Sequence, residues 1–113
     1  MNKIIVYAMA GIFMGTAFMG TARGASSEYD KGKTFYFNKC QICHGSHGDG
    51  QGPAGVSLTP QPRNFTDPDF WKGKVEEKIT TTVKNGFGPM PAFKLKPEDI
   101  KAIIYYISHT FKK

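Results

Sequence analysis

The 113-residue chain is short of most things from which catalytic sites are built. It has two cysteines, three histidines and one tryptophan, and after position 19 a single methionine, Met90. No segment alternates apolar and polar residues as a half-buried strand does, so a fold built on a sheet is not expected. No internal repeat, low-complexity tract or linker divides the chain, and its length suits one domain. Five or six like charges never occur in a row. The 15 lysines and arginines are interspersed with acids such as Glu76, Glu77, Glu98 and Asp99, a pattern that lacks the basic patch of a nucleic-acid binder.

Charge is also missing from Ile4 to Met19. With Lys3 before this apolar run and Ala22-Arg23-Gly24 after it, residues 1–24 read as an export signal cleaved after Gly24. The alternative is a retained membrane anchor, since about 20 apolar residues span a bilayer. Either way the domain at 25–113 is expected outside the cytoplasm, in the periplasm, either free or anchored facing it. Cleavage leaves 89 residues and lowers the net charge from +6 to +4, because Lys3 and Arg23 are lost. A domain that small needs a staple such as a disulfide, a metal or a cofactor.

Three helices account for most of the remaining pattern. The first is expected from Glu28 to about Cys40, capped by Ser26 or Ser27. Gly32 inside it costs about 1 kcal/mol relative to alanine, which suggests that another backbone comes close there. A second spans about Val75 to Lys84 and stops at Asn85-Gly86. The third begins at Pro97-Glu98-Asp99 and presents Ile100, Ile103, Ile104, Ile107 and Phe111 on one face, with Lys112 and Lys113 at its end. Between the first two helices, residues 45–69 are rich in Gly, Pro, Asn and Asp. A loop of that length is expected to pack around something.

Cys40-Gln41-Ile42-Cys43-His44 supplies the chemistry. Two thiols on one turn reach two neighbouring vinyl groups of a porphyrin, while the adjacent imidazole turns onto its iron; this is the c-type haem attachment pattern. Three other uses of the pair are a redox dithiol, a zinc site completed by His44 and His47, and a small-loop disulfide. The first wants a βαβ context, the second a distant ligand pair, and the third would stabilise little. For the sixth iron ligand Met90 is the candidate, set in Gly88-Pro89-Met90-Pro91 where two prolines stiffen the loop. His109 and His47 are its rivals.

The chain resembles the class I c-type cytochromes over nearly all of residues 25–113. The resemblance rests on Gly32, Tyr36 and Cys40 at intervals of four, on Ile103 and Tyr106 in the last helix, on Gly48-Asp49-Gly50-Gln51-Gly52-Pro53 after the haem string, and on Asn85-Gly86 through Phe93. It implies a small all-α cytochrome c fold, about three main helices with long loops around one covalently bound haem c. It also implies that the Pro53 carbonyl accepts the Nδ1 proton of His44. Trp71 is expected either to give its indole N–H to a haem propionate or simply to pack, and Arg63 either to pair with a propionate or to lie exposed.

The implied function is one-electron carriage by a monomer between larger redox proteins, with no substrate turned over. A basic surface would suit acidic partners. A membrane is involved only if residues 1–24 are retained. Two other readings are a ligand-sensing haem protein in which Met90 is not on the iron, and an electron-entry subunit of a larger enzyme.

Overall fold

The computed structural model describes Gly11, Gly15 and residues 22–113. The expected leader therefore lies, apart from those two glycines and positions 22–24, outside the described residues. Helix α1 runs over Ala22–Phe35, α2 over Gln41–His44, α3 over Val75–Asn85 and α4 over Pro97–Phe111. A π turn at Tyr36–Cys40 joins α1 to α2, and a 3₁₀ turn at Pro68–Trp71 precedes α3. The only β pairing among the described residues is an isolated bridge between Phe87 and Met90. Among those residues no helix is long and apolar enough to cross a membrane.

The expected helices are present, with shifted ends. The first opens at Ala22 rather than at a serine cap, so Ser26 and Ser27 lie a turn inside it. It does not stop at Cys40 but widens into the π turn and continues to His44. The last helix ends at Phe111, which leaves Lys112 and Lys113 beyond its final turn. Pro97 occupies the first turn of α4 with Glu98 and Asp99, where the missing amide is harmless and acids meet the positive end of the helix.

The core is the crossing of α1 and α4. Ile100, Ile103, Ile104, Ile107 and Phe111, spaced to share one face, are all buried, along with Ala102 and Tyr106. Each such aliphatic or aromatic side chain contributes about 1.5–3 kcal/mol when removed from water. Tyr29 packs edge-on to Tyr106 at 5.1 Å, its hydroxyl lies 3.1 Å from that of Thr110, and Lys31 pairs with Asp99 at 2.6 Å. From α3, Ile79 and Val83 join the same core.

Gly32 is where the two backbones meet. A Cβ there would sit 1.9 Å from the Ala102 carbonyl oxygen and 2.8 Å from Tyr106 Cβ, so a side chain would force the helices apart. Gly32→Ala is expected to lower stability by about 1–3 kcal/mol, the usual cost of overpacking. Urea unfolding of the purified protein measures this; an unchanged midpoint would show that the helices do not depend on the close approach.

Candidate functional site

The site is built on α2 and the π turn before it. In that turn the Gln41 amide bonds back to the Tyr36 carbonyl. Cys40 and Cys43, three residues apart on a helical path, are both half-buried free thiols. Burial pushes the Cys40 thiol up to about 11, against the opposing pull of Lys39 and with a small contribution from Cys43, so at neutral pH it is protonated.

A four-residue helix leaves its last carbonyls without partners of its own. Here the loop that follows turns back and supplies them. The amides of Ala54, Gly52 and Gly50 donate to the carbonyls of Ile42, Cys43 and His44 at 2.9, 3.0 and 2.8 Å, and the Gly48 amide donates to that of Gly45 at 3.2 Å. Contact this close explains two of the loop's glycines. A Cβ on Gly52 would lie 2.4 Å from the Ile42 oxygen, and one on Gly55 2.1 Å from the Cys43 oxygen. The glycine-rich string is therefore a cap moulded to the cysteine turn.

His44 is half-buried, with its ring stacked on Phe65 at a centroid distance of 4.6 Å and an interplanar angle of 13°. Its Nδ1 donates to the Arg63 carbonyl at 3.1 Å. Burial lowers its pKa below the ordinary histidine value, and the bond to Arg63 offsets part of that. The ring is thus neutral at pH 7 with Nδ1 occupied, which leaves Nε2 as the free donor a metal requires.

The expected acceptor, the Pro53 carbonyl, is not the one used. Residues 62–65 run back beneath the glycine loop, with the Phe65 amide on the Gly48 carbonyl at 2.7 Å and the Pro62 carbonyl oxygen 2.5 Å from where a Gly50 Cβ would be. That path brings the Arg63 carbonyl to His44, whereas Pro53 is exposed. The Arg63 side chain is also exposed, its guanidinium 5.3 Å from the centre of the Phe70 ring. The Trp71 indole N–H is not free for a propionate, since it donates to the Phe65 carbonyl at 2.7 Å. Trp71 is a packing residue in this arrangement.

Phe65 was not singled out by sequence reasoning, yet its ring touches His44, Phe70 and Phe111 and its backbone bonds to both Gly48 and Trp71. The available signal was one aromatic residue in an otherwise polar, proline-containing stretch.

Met90 is half-buried against the core to which Phe65 belongs. Residues 87–90 form a tight turn in which the Phe87 and Met90 amides exchange bonds with each other's carbonyls at 3.0 and 2.9 Å. Gly86, at φ +74°, lets the chain pass close to Met90, and the Phe93 amide fastens the far side to the Val83 carbonyl at 2.8 Å. Both rival histidines, His47 and His109, are exposed. His109 lies on α4, stacked on Tyr105 at 3.9 Å with Nδ1 on that residue's carbonyl at 2.8 Å.

Among the described residues no three His, Cys, Asp or Glu side chains come together to hold a metal ion, so a zinc site lacks its ligand set. A redox dithiol lacks, among the same residues, the sheet it would stand on. The residues present do fit a haem: two unpaired thiols on one turn, a neutral imidazole beside them, and Cys40, Phe70, Trp71, Met90, Phe93 and Leu95 lying on the core only partly covered. Partly covered apolar side chains on a well-packed core are what a flat macrocycle would complete.

Residues 27–107 match the family described as cytochrome c oxidase, cbb3-type, subunit III. The chain is 32% identical over 80 residues to a cbb3-type cytochrome c oxidase subunit CcoP of Rubrivivax gelatinosus, a match covering 67% of this chain and 24% of that protein's length. A solved structure, the Kuenenia stuttgartiensis reducing HAO-like protein complex Kustc0457/Kustc0458, is similar with a TM-score of 0.56 and 28% identity, covering 74% of this chain and 42% of the other. The chain thus spans less than half the length of either protein.

Gly55→Ala tests the moulded cap. The new methyl collides with the Cys43 carbonyl, so loss of about 1–3 kcal/mol is expected from overpacking. Urea unfolding with wild-type protein alongside reads this directly. A variant as stable as wild type would mean that the loop does not press on the cysteine turn.

Proposed function

The chain belongs to the family of cytochrome c oxidase, cbb3-type, subunit III, and from that premise we propose that it is a periplasmic monohaem one-electron carrier whose haem is held by Cys40, Cys43, His44 and Met90. It is a class I c-type cytochrome, all-helical, with covalently bound haem c and a part in electron transfer. The observation that carries the assignment of residues is the geometry of one turn: Cys40 and Cys43 three apart as free thiols, followed by a neutral His44 whose Nδ1 is already engaged.

In this reading Cys40 and Cys43 would carry the two thioether links, and His44 would offer Nε2 to the iron. The Arg63 carbonyl fixes the tautomer and the plane of that ring. Met90 supplies a thioether sulfur from a loop in which its own amide is bonded to the Phe87 carbonyl and the flanking Pro89 and Pro91 carry no amide donor. The haem, when bound, provides the one-electron couple of its iron. Methionine and histidine together, in apolar surroundings, raise the potential of that couple.

Partner access is supported by the surface. Ile42, between the two cysteines, is 58% exposed, and Phe87, in the Met90 turn, is 67% exposed. Large apolar side chains left in water next to the site suit brief contact with a redox protein. A second reading is that the chain serves inside a larger complex, because the Rubrivivax relative is named as an oxidase subunit and the Kuenenia structure is a complex. Size-exclusion chromatography of the native extract separates the two, since a carrier runs as a small monomer and a subunit co-elutes with a larger protein.

The spectrum of the exported protein should show low-spin c-type bands when reduced and a weak near-infrared sulfur-to-iron band when oxidised. Met90→Ala should fold, lose the near-infrared band and fall in potential; a variant with both unchanged would remove Met90 from the iron. His44→Ala should yield little holoprotein. Normal amounts of low-spin protein from that variant would contradict its proximal role.

A further inference from the structure

Tyr36 stands at the start of the π turn and, among the described residues, is the most completely buried of the large side chains, at 0% exposure. Its backbone carbonyl accepts the amide of Gln41, the first residue of α2, and its side-chain hydroxyl donates to the carbonyl of Gly45, the residue just after α2. One residue therefore grips both ends of the segment that carries Cys43 and His44. Its ring is in turn wedged against Tyr106 at 5.4 Å and Phe111 at 5.3 Å, so the grip is referred to the rigid helix α4.

The hydroxyl is not explained by packing or by hydrogen-bond satisfaction. A phenylalanine would fill the same apolar cluster without the cost of desolvating an O–H. The Gly45 carbonyl does not lack a donor either, because the Gly48 amide already reaches it. What the bond adds is restraint on the end of the turn, one residue from the imidazole. Burial raises the phenol's pKa well above the ordinary tyrosine value, so it is a donor at every working pH.

We propose that the Tyr36 hydroxyl is a positioning group for the cysteine turn, fixing its His44 end and so setting the plane in which the imidazole meets the iron. The proposal rests on the assignment of Cys40, Cys43 and His44 made above. The Arg63 carbonyl restrains the ring from its Nδ1 side, and Tyr36 restrains the backbone from which the ring hangs. Neither restraint replaces the other.

The test is the exported holoprotein carrying Tyr36→Phe, with Tyr106→Phe as the control from the same aromatic cluster. Two readings are taken: the proton shifts of the haem methyls in the oxidised protein, which follow the orientation of the axial ligands, and the exchange rate of the Gly45 amide. Tyr36→Phe is expected to change the methyl shift pattern and to speed Gly45 exchange several-fold, while Tyr106→Phe leaves both as in wild type. Wild-type shifts and exchange in Tyr36→Phe, with only a lower melting temperature, would overturn the proposal and leave the hydroxyl a stability feature.

If Tyr36→Phe does not accumulate, the reduced wild-type protein carries the decision. A slowly exchanging Tyr36 hydroxyl proton with a through-space contact to Gly45 supports the clamp, and a rapidly exchanging one defeats it. Wild-type protein without covalent, His-ligated haem would instead defeat the assignment beneath the proposal, before any variant is compared.

Discussion

The capping of one short helix governs the rest of this structure. Four residues cannot satisfy their own terminal carbonyls, and α2 must hold both Cys43 and His44 in fixed directions. The solution is a loop folded back so closely that its amides at 48, 50, 52 and 54 answer the carbonyls at 45, 44, 43 and 42 in turn. Glycine is required where a side chain would strike the turn, and proline and short polar residues shape the remainder. Once the loop is seated, residues 62–65 are laid under it, and the Arg63 carbonyl and the Phe65 ring arrive at His44 as a consequence. Ligand orientation thus depends on a backbone network whose members are far apart in sequence.

That dependence explains what could be read in advance. α3 and α4 follow from local rules: apolar spacing, a proline and acids at the start of α4, and Asn85-Gly86 at the end of α3. Gly32 was legible for a related reason, since a glycine inside a good helical pattern signals a neighbour, and Ala102 is that neighbour. The string from Cys40 to His44 announces its chemistry because the chemistry itself demands the spacing. The acceptor for His44 was not legible, because nothing in the identity of Arg63 or Pro53 distinguishes their carbonyls; only the path of the loop does. The π turn was hidden for the same reason. Tyr36 to Cys40 has the composition of an ordinary helix, and nothing in its residue types marks the wider turn.

Two bodies of apolar material share this small domain. One is the buried core, drawn from Tyr36 of the π turn, Phe65 of the loop, α3 and α4. The other is the set at Cys40, Phe70, Trp71, Met90, Phe93 and Leu95, which the chain covers only in part. A domain of this size has little stability to spare, so leaving such surface uncovered would be a serious loss. On the proposed attachment, covalent haem would cover part of this second set. The cofactor is therefore a structural component and not only the redox group, which is why the loss of an attachment residue and the loss of the fold are hard to separate.

The two proposed ligands rest on supports of different stiffness. Around His44, bonds come from the glycine loop, from Arg63 and from Tyr36, and the ring lies flat on Phe65. Met90 sits in a four-residue turn held by its own two bonds and fastened to α3 through Phe93 and Val83. Such a turn opens locally at far less cost than the network around α2, which would require the whole loop to lift. On the proposed ligation, the haem would be held firmly through His44 and more adaptably through Met90. Any tuning of this cytochrome by a partner or by solution conditions should accordingly act at the methionine loop, beside the exposed Phe87.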